Sequence, residues 1–262
     1  MPYLDTHTYL KAIDLTPQGI FVMHEKVERR LPPHAHQKHQ LTYVEGGIAY
    51  IYMQNKTYII PARHYVWIPS GLEHYLKVRN AQTVTRNLYF HDDGQDPFYD
   101  KLGIYPVNNL LFEMIVFTEH WNGTVNIKEE GFAFLSAIKD ILPKLNTRAL
   151  PIALPTTANT RLRPVIMYLS THFSEHLTLQ SLSERFGMGE RTLSRLFQST
   201  MSISFLQYLK LLRTVKAIEM LLQHDKTTSE IAYLTGYNSL AAFSKAFHQL
   251  TNFRPTDFAK KI

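Results

Sequence analysis

The hydrophobic period of this chain changes partway along it, and that change limits the fold more than any other feature. Residues 20–90 carry short β-branched and aromatic runs: Ile20–Val27, Gln40–Val44, Ile48–Met53, Thr57–Ile60, Tyr65–Ile68, His74–Val78 and Val84–Phe90. Gly46-Gly47, Gln54-Asn55-Lys56 and Pro69-Ser70-Gly71 punctuate them. Runs of this length between turn residues read as strands, and seven at close spacing imply a barrel or sandwich. From Asn109 the period becomes helical, over Asn109–Trp121 and Lys128–Leu142, with Leu111, Met114, Ile115, Phe132, Leu135 and Ile138 at three- and four-residue steps. A stretch rich in Pro, Thr and Ala follows, and everything after it is helical. The expected architecture is therefore α+β in two domains. A β-barrel with two helices occupies residues 1–145, a linker 146–160, and an all-helical module 161–262.

Charge separates the same two parts. Of 28 Lys+Arg and 22 Asp+Glu, 13 and 7 fall in residues 161–262, which leaves 15 of each before them. The whole net charge of +6 thus lies on the helical module, as expected for a polyanion binder joined to a neutral sensing or assembly domain. The absence of cysteine excludes thiolate zinc sites, catalytic thiols and disulfides. No apolar run approaches 18 residues, so no membrane span is expected. The N-terminal MPYLDTHTYLKAI has no basic region followed by an apolar one, so no signal peptide is expected and the cytoplasm is the default location. No GxGxxG, P-loop or GxSxG pattern is present.

Helices are expected at Leu162–Phe173, Leu179–Phe186, Glu190–Met201, Phe205–Gln223, Thr228–Leu234, Ser239–Leu250 and Thr256–Lys260. Thr178 suits an N-cap, and Thr227 with Glu230 has capping-box spacing. The module also repeats weakly on itself. Leu182, Gly187, Leu193, Ser194, Arg195 and Phe197 correspond to Ile231, Gly236, Phe243, Ser244, Lys245 and Phe247, with the turn one residue longer in the second copy. Short helix, glycine turn, second helix is the outline of a helix-turn-helix. It occurs twice, over about 179–200 and 228–250, separated by one long helix. On Glu190–Met201, Leu193, Leu196, Phe197 and Met201 form the inner stripe, while Arg191, Arg195 and Gln198 face away with Thr192 and Ser194 on the flanks. Arg can fork onto guanine O6 and N7, and Gln can pair with adenine. The second copy offers Ala241, Lys245 and His248, which suit a thymine methyl or a phosphate as well as a base edge.

The segments LTLQSLSERFGMGERTLSRLFQ, YLKLLRTVKAIEMLL and IAYLTGYNSLAAFSKAFHQLTNFRPTDF resemble the AraC/XylS family of bacterial transcription regulators. The resemblance spans about residues 161–262. It implies two motifs in successive major grooves of double-stranded DNA, held apart by the linker helix. It implies base or backbone contacts from Arg191, Thr192, Ser194 and Arg195, and from Asn238, Ser239, Ala241, Ser244 and Lys245. The chain departs from the family at Gly189, where Ser or Thr is usual, at Asn252-Phe253-Arg254-Pro255, and at Phe258-Ala259. The missing hydroxyl at Gly189 weakens one N-cap.

In the strand region, His34-Ala35-His36, Gln40, Gly47 and Pro69-Ser70-Gly71-Leu72-Glu73-His74 resemble the two cupin motifs, with Gln40 at the position of the usual Glu. Alternate residues of a strand share a face, so His34 and His36 can point together into a barrel, with His74 alongside. These four residues are the candidate effector site. Three imidazoles and an amide oxygen could equally hold a divalent transition metal, although no cofactor is required by the pattern. Three readings stay open for this half: a metal-free effector pocket, a metal that is part of the sensing site, and a catalytic cupin. His39 and His64 lie off the motif. Tyr43, Tyr50, Tyr52, Tyr58, Tyr65, Trp67 and Tyr75 suit barrel core or pocket lining. Glu25/Glu28 and Asp92/Asp93 read as solvated carboxylates. Apolar residues exposed on both central helices would mark a homodimer interface.

The expected function is a sequence-specific DNA-binding regulator, by the resemblance an activator contacting RNA polymerase, that responds to a small-molecule effector. The alternative is a metal-dependent cupin enzyme, dioxygenase or isomerase, with a DNA-binding appendage.

Overall fold

The computed structural model describes residues 5–25, 31–45, 48–53, 56–78, 83–94, 96–145, 149, 153–155, 157, 159–223 and 225–260. Two compact units emerge, Met1–Ile51 with Ile60–Leu150, and Tyr52–Ile59 with Pro151–Ile262.

The first unit opens with a helix absent from the sequence reading, α1 (Thr6–Asp14), whose N-cap Asp5 accepts hydrogen bonds from the His7 and Thr8 amides. In chain order the strands are β1 (Ile20–Glu25), β2 (His39–Glu45), β3 (Ile48–Met53), β4 (Lys56–Pro61), β5 (His64–Ile68), β6 (Tyr75–Val78) and β7 (Val84–Phe90), of which the end of β3 and most of β4 belong to the second unit. Each matches an expected run. Lys26 and Val27 of the first run lie outside the described residues, as do Glu28, Gly46-Gly47 and Gln54-Asn55. Two more strands, β8 (Gly103–Pro106) and β9 (Gly123–Val125), flank α2 (Asn109–Phe117), and α3 (Gly131–Ile141) comes after them. Neither strand was expected, because three or four residues carry too little periodicity to be read.

An antiparallel six-stranded sheet in the order β8-β5-β2-β7-β1-β9 dominates this unit, while β3 and β6 neighbour each other in a second sheet. Register sorts the side chains. Gln40 pairs with Ile68 and Tyr89, and Thr42 pairs with Val66 and Asn87. Strand alternation then puts Leu41, Tyr43, Tyr65, Trp67, Leu88 and Phe90 on the other face, where they form one buried cluster with Leu111 and Ile115 of α2 and Leu135 and Ile138 of α3. The aromatic residues of β2 and β5 are therefore core. The opposite face is buried too, and there Gln40, Thr42, Asn87 and Tyr89 sit in register with the apolar Val44, Val66 and Ile68.

In the second unit β10 (Ala153–Pro155), within the stretch expected as linker, pairs antiparallel with β4 through Ala153–Tyr58 and Leu154–Thr57. The helices are α4 (Arg163–His172), α5 (Leu179–Arg185), α6 (Glu190–Met201), α7 (Phe205–Leu221), α8 (Thr228–Leu234), α9 (Leu240–Thr251) and α10 (Pro255–Lys260). All seven expected helices are present within two residues at each end. Thr178 and Thr227 cap α5 and α8, each in a reciprocal capping box. Leu182, Leu193, Phe197 and Met201 are buried with Leu162, Val165 and Leu169 of the α4 region and Phe205, Tyr208, Leu209 and Leu212 of α7. Among the described residues no helix is long and apolar enough to cross a membrane.

Candidate ligand site and nucleic-acid interface

His34 and His74, forty residues apart, are brought together by an isolated antiparallel bridge in which each backbone amide donates to the other's carbonyl, at 3.0 and 2.9 Å. The Gly71 amide donates to the His36 carbonyl at 2.8 Å, which sets the second motif against the first. The three imidazoles gather as a result, with ring centroids 4.6 Å apart for His34 and His74, 5.2 Å for His36 and His74, and 5.9 Å for His34 and His36. Gln40 joins them from β2. Its Oε1 lies 3.0 Å from His36 Nε2 and 2.9 Å from His74 Nε2. Its Nε2 donates to Thr42 Oγ1 at 2.7 Å, and Thr42 in turn donates to Asn87 Oδ1 at 2.8 Å. All four residues of the expected site thus converge.

Each ring is oriented by its own chain. The Nδ1 of His34 meets the Pro32 carbonyl at 2.8 Å, that of His36 the Lys38 carbonyl at 2.7 Å, and that of His74 the Leu72 carbonyl at 2.8 Å. A carbonyl only accepts, so Nδ1 carries the proton in all three. Burial disfavours the imidazolium and lowers all three pKa values from 6.5, that of His74 to about 3. The cluster is therefore neutral.

A cavity of about 20 Å³ borders it, lined by His34, Gln40 and His74 together with Glu25, Thr85 and Asn87. Tyr9 and Tyr89 close another side, their hydroxyls 2.6 Å apart. Such a volume holds about one water. The tyrosines of the pocket are therefore not those expected from the strand pattern. Tyr9 escaped because α1 was unread, and Asn87, Thr85 and Tyr89 because only register reveals which face they occupy. Asp14, at the end of α1, accepts from the Gln37 amide at 2.9 Å, and Lys38 donates from a buried position to the Gly19 carbonyl at 2.6 Å. These bonds tie α1 and its exit loop to the histidine motif.

His39 faces elsewhere. Its Nδ1 accepts from the Ser70 amide at 3.1 Å and its Nε2 lies 3.2 Å from Asp92. Of the carboxylates expected to be solvated, Asp92 and Asp93 keep 40% and 37% of their side chains exposed and also have partners, while Glu28 lies outside the described residues. Asp92 also accepts from Ser70 Oγ, Asp93 pairs with Lys139 at 2.8 Å, and Glu25 lines the cavity. For Asp93 the reason is the buried Lys139 ammonium, whose desolvation demands a nearby anion.

In the second unit the two helix-turn-helix motifs are built alike. Gly187 and Gly236 have φ of +60° and +82°. The residues after them donate back five positions, Met188 to the Ser183 carbonyl and Tyr237 to the Ala232 carbonyl, which is the Schellman pattern at both turns. The repeat extends further than the sequence comparison showed. Both second helices end on a residue with left-handed φ, Ser202 and Asn252, at +58° and +62°. On α6, Arg191, Ser194, Arg195 and Gln198 are exposed and Thr192 is half-buried. On α9 and its lead-in, Asn238, Ser239, Ala241 and Lys245 are exposed and Ser244 is half-buried. Ser239 caps α9 through the Ala242 amide, whereas Gly189 gives α6 no side-chain cap.

One residue with no signal in the sequence reading links the chain after α4 to the turn of the second motif. Arg213 of α7 donates through Nε to the Phe173 carbonyl at 2.8 Å and through Nη2 to the Glu175 carbonyl at 2.9 Å. Its guanidinium also sits 5.6 Å from the ring centre of Tyr237 in the second turn.

Residues 20–97 match the family described as AraC-like ligand binding domain, and residues 182–261 match a helix-turn-helix domain family. The HTH-type transcriptional regulator NimR of Escherichia coli is 25% identical over 218 residues, 82% of this chain and 77% of that protein. The HTH-type transcriptional activator RhaS of Citrobacter koseri is 22% identical over 273 residues, 95% of this chain and 96% of that one. Among solved structures, ToxT from Vibrio cholerae aligns over 93% of this chain and 98% of its own, at 12% identity and a TM-score of 0.40.

Proposed function

As this chain belongs to the AraC family of transcriptional regulators, with a ligand-binding domain followed by a helix-turn-helix DNA-binding domain, we propose that it reads a two-part operator through α6 and α9 and answers to a small molecule held beside His34, His36, Gln40 and His74. The observation that carries this is the duplicated motif, each copy presenting the exposed face of its second helix after a tight Schellman turn. Arg191, Arg195 and Gln198 read bases, Thr192 and Ser194 contact the DNA from the flanks of the helix, and Asn238, Ser239, Ala241, Ser244 and Lys245 position the second copy with fewer base contacts. Ligand binding shifts the regulator only if the two states differ in affinity for it. The similarity to RhaS, a transcriptional activator, favours activation with contacts to RNA polymerase. A DNA target puts its work in the cytoplasm. Leu110 and Phe117 of α2 are exposed apolar residues suited to a homodimer seam, whereas Leu111, Ile115, Leu135 and Ile138 pack on their own sheet.

Selection of genomic fragments by the full-length protein tests this. Recovery of a site with two half-elements about one helical turn apart is expected. Arg195→Ala should cost about 1–3 kcal/mol on that site and far less on random DNA. Equal losses on both would reduce Arg195 to a phosphate contact. The histidine cluster favours one competing reading, a metal-dependent cupin enzyme with a DNA-binding appendage. Uniform, weak, salt-sensitive DNA binding together with turnover by the metal-loaded protein would establish that instead.

A further inference from the structure

The two second helices correspond position for position. Each has 12 residues, and Leu193, Phe197 and Met201 of α6 are matched in burial by Phe243, Phe247 and Thr251 of α9. Their N-caps are Gly189 and Ser239, and their left-handed C-caps are Ser202 and Asn252. That register sets Glu190 against Leu240, Arg191 against Ala241 and Arg195 against Lys245. In a docked helix-turn-helix the N-terminal residues of the second helix contact base edges. There α6 offers a carboxylate and a guanidinium, whereas the side chains of α9 offer only carbon. Leu240 is 41% exposed and Ala241 is exposed beside it, an apolar turn left in water on a basic module.

Ser244 and Lys245 lie one turn further on, on the same faces as Leu240 and Ala241. Lys245 carries a charge that attracts phosphate, and the apolar turn ahead of it gives a base edge van der Waals contact only. The major-groove edges of guanine, adenine and cytosine present polar groups, which such a turn would strip of water without supplying a partner. Thymine adds an apolar group there, its C5 methyl. The +6 excess of this module favours DNA over an apolar protein surface as the occupant.

We propose that Leu240 and Ala241 make α9 a reader of thymine methyl groups, so that the second half-element is specified by thymine and the first by hydrogen bonds from α6. This rests on the operator reading above and names the chemistry of its second half.

The experiment presents the full-length protein with a pool of random-sequence synthetic duplexes. The α9 half-element is the one whose base preference changes in Ala241→Arg, and the α6 half-element is the one that changes in Arg195→Ala. We expect thymine in the former. Uracil in its place keeps the pairing and O4 and lacks only the methyl. The wild type should bind the uracil duplex about fourfold more weakly per methyl lost, the factor for leaving one methylene-sized group unburied. Cytosine methylated at C5 should bind better than cytosine at the same position. Leu240→Ser should lose most of the preference for thymine over uracil, and Ala241→Arg should exchange thymine for guanine at one position. Equal wild-type affinity for the thymine and uracil duplexes would overturn the proposal, as would an α9 half-element without thymine. So would a Leu240→Ser variant that keeps the thymine preference but no longer activates RNA polymerase in vitro, which would give this turn to a protein contact. A pool that yields no two-part site would remove the operator reading itself, an outcome distinct from a two-part site indifferent to the methyl.

Discussion

A single hydroxyl is missing from the first recognition helix. Gly189 stands at the N-cap of α6 in extended backbone, φ −69° and ψ 146°, and a Cβ added there would meet open space. Gly189→Ser should therefore be accepted without strain, accept a hydrogen bond from the first turn and narrow the unfolded ensemble. A gain of about 0.5–1 kcal/mol in unfolding free energy is expected by denaturant titration. His24 shows the opposite sign. Burial, with a smaller contribution from the Arg86 charge, holds its pKa below 6.5, against the bond to the Thr118 carbonyl at 3.0 Å and the Glu119 charge. The folded state then binds fewer protons than the unfolded chain as pH falls through 6.5, so this residue's contribution to stability is complete above that pH and is lost below it. In thermal melts from pH 7.5 to 5, His24→Gln should show a shallower loss than the wild type, and parallel curves would remove His24 from the account.

At the level of elements, α7 lies between the two motifs in the chain, and its Arg213 ties the segment just ahead of the first motif to the turn of the second. Removing it strands the Phe173 and Glu175 carbonyls and frees the ring of Tyr237. Arg213→Ala should cost roughly 1.5–3 kcal/mol in stability, the range for hydrogen bonds from a charged group. Its operator binding should lose the advantage of two half-elements over one, which competition between full and half sites measures. Gly236 is part of the same joint. A Cβ there would lie 2.6 Å from the Ser174 carbonyl oxygen and 2.7 Å from Arg213 Nη2, at a φ of +82°. Gly236→Ala should accordingly be more damaging than Gly187→Ala, whose Cβ meets nothing within 4 Å despite a similar φ.

At the scale of the whole molecule, charge and chemistry are divided between the two halves, with the +6 excess in residues 161–262. DNA affinity should fall steeply between 50 and 200 mM salt, and Lys245→Ala should reduce the slope of log K against log salt by about one if Lys245 touches a phosphate. Lys128→Ala, in the neutral half, should leave that slope unchanged. Much of this molecule was legible before its fold was known. The strand runs β1 to β7, the seven C-terminal helices, the caps at Thr178 and Thr227 and the turns at Gly187 and Gly236 are all set by residues within a few positions of one another, so the interactions responsible are written in order along the chain. Even the histidine set was readable, because His34 and His36 alternate on one segment and His74 follows a recognisable turn. The tertiary structure alone decided the rest. It put Tyr9 of α1 against Tyr89, brought His74 Nε2 to Gln40 Oε1, engaged Asp93 with Lys139, and carried Arg213 to Phe173 and Tyr237. Those partners lie 24 to 80 residues apart or depend on strand register. Spacing along a chain carries no record of which distant groups share a buried point, and burial is what makes the pairing of such groups obligatory.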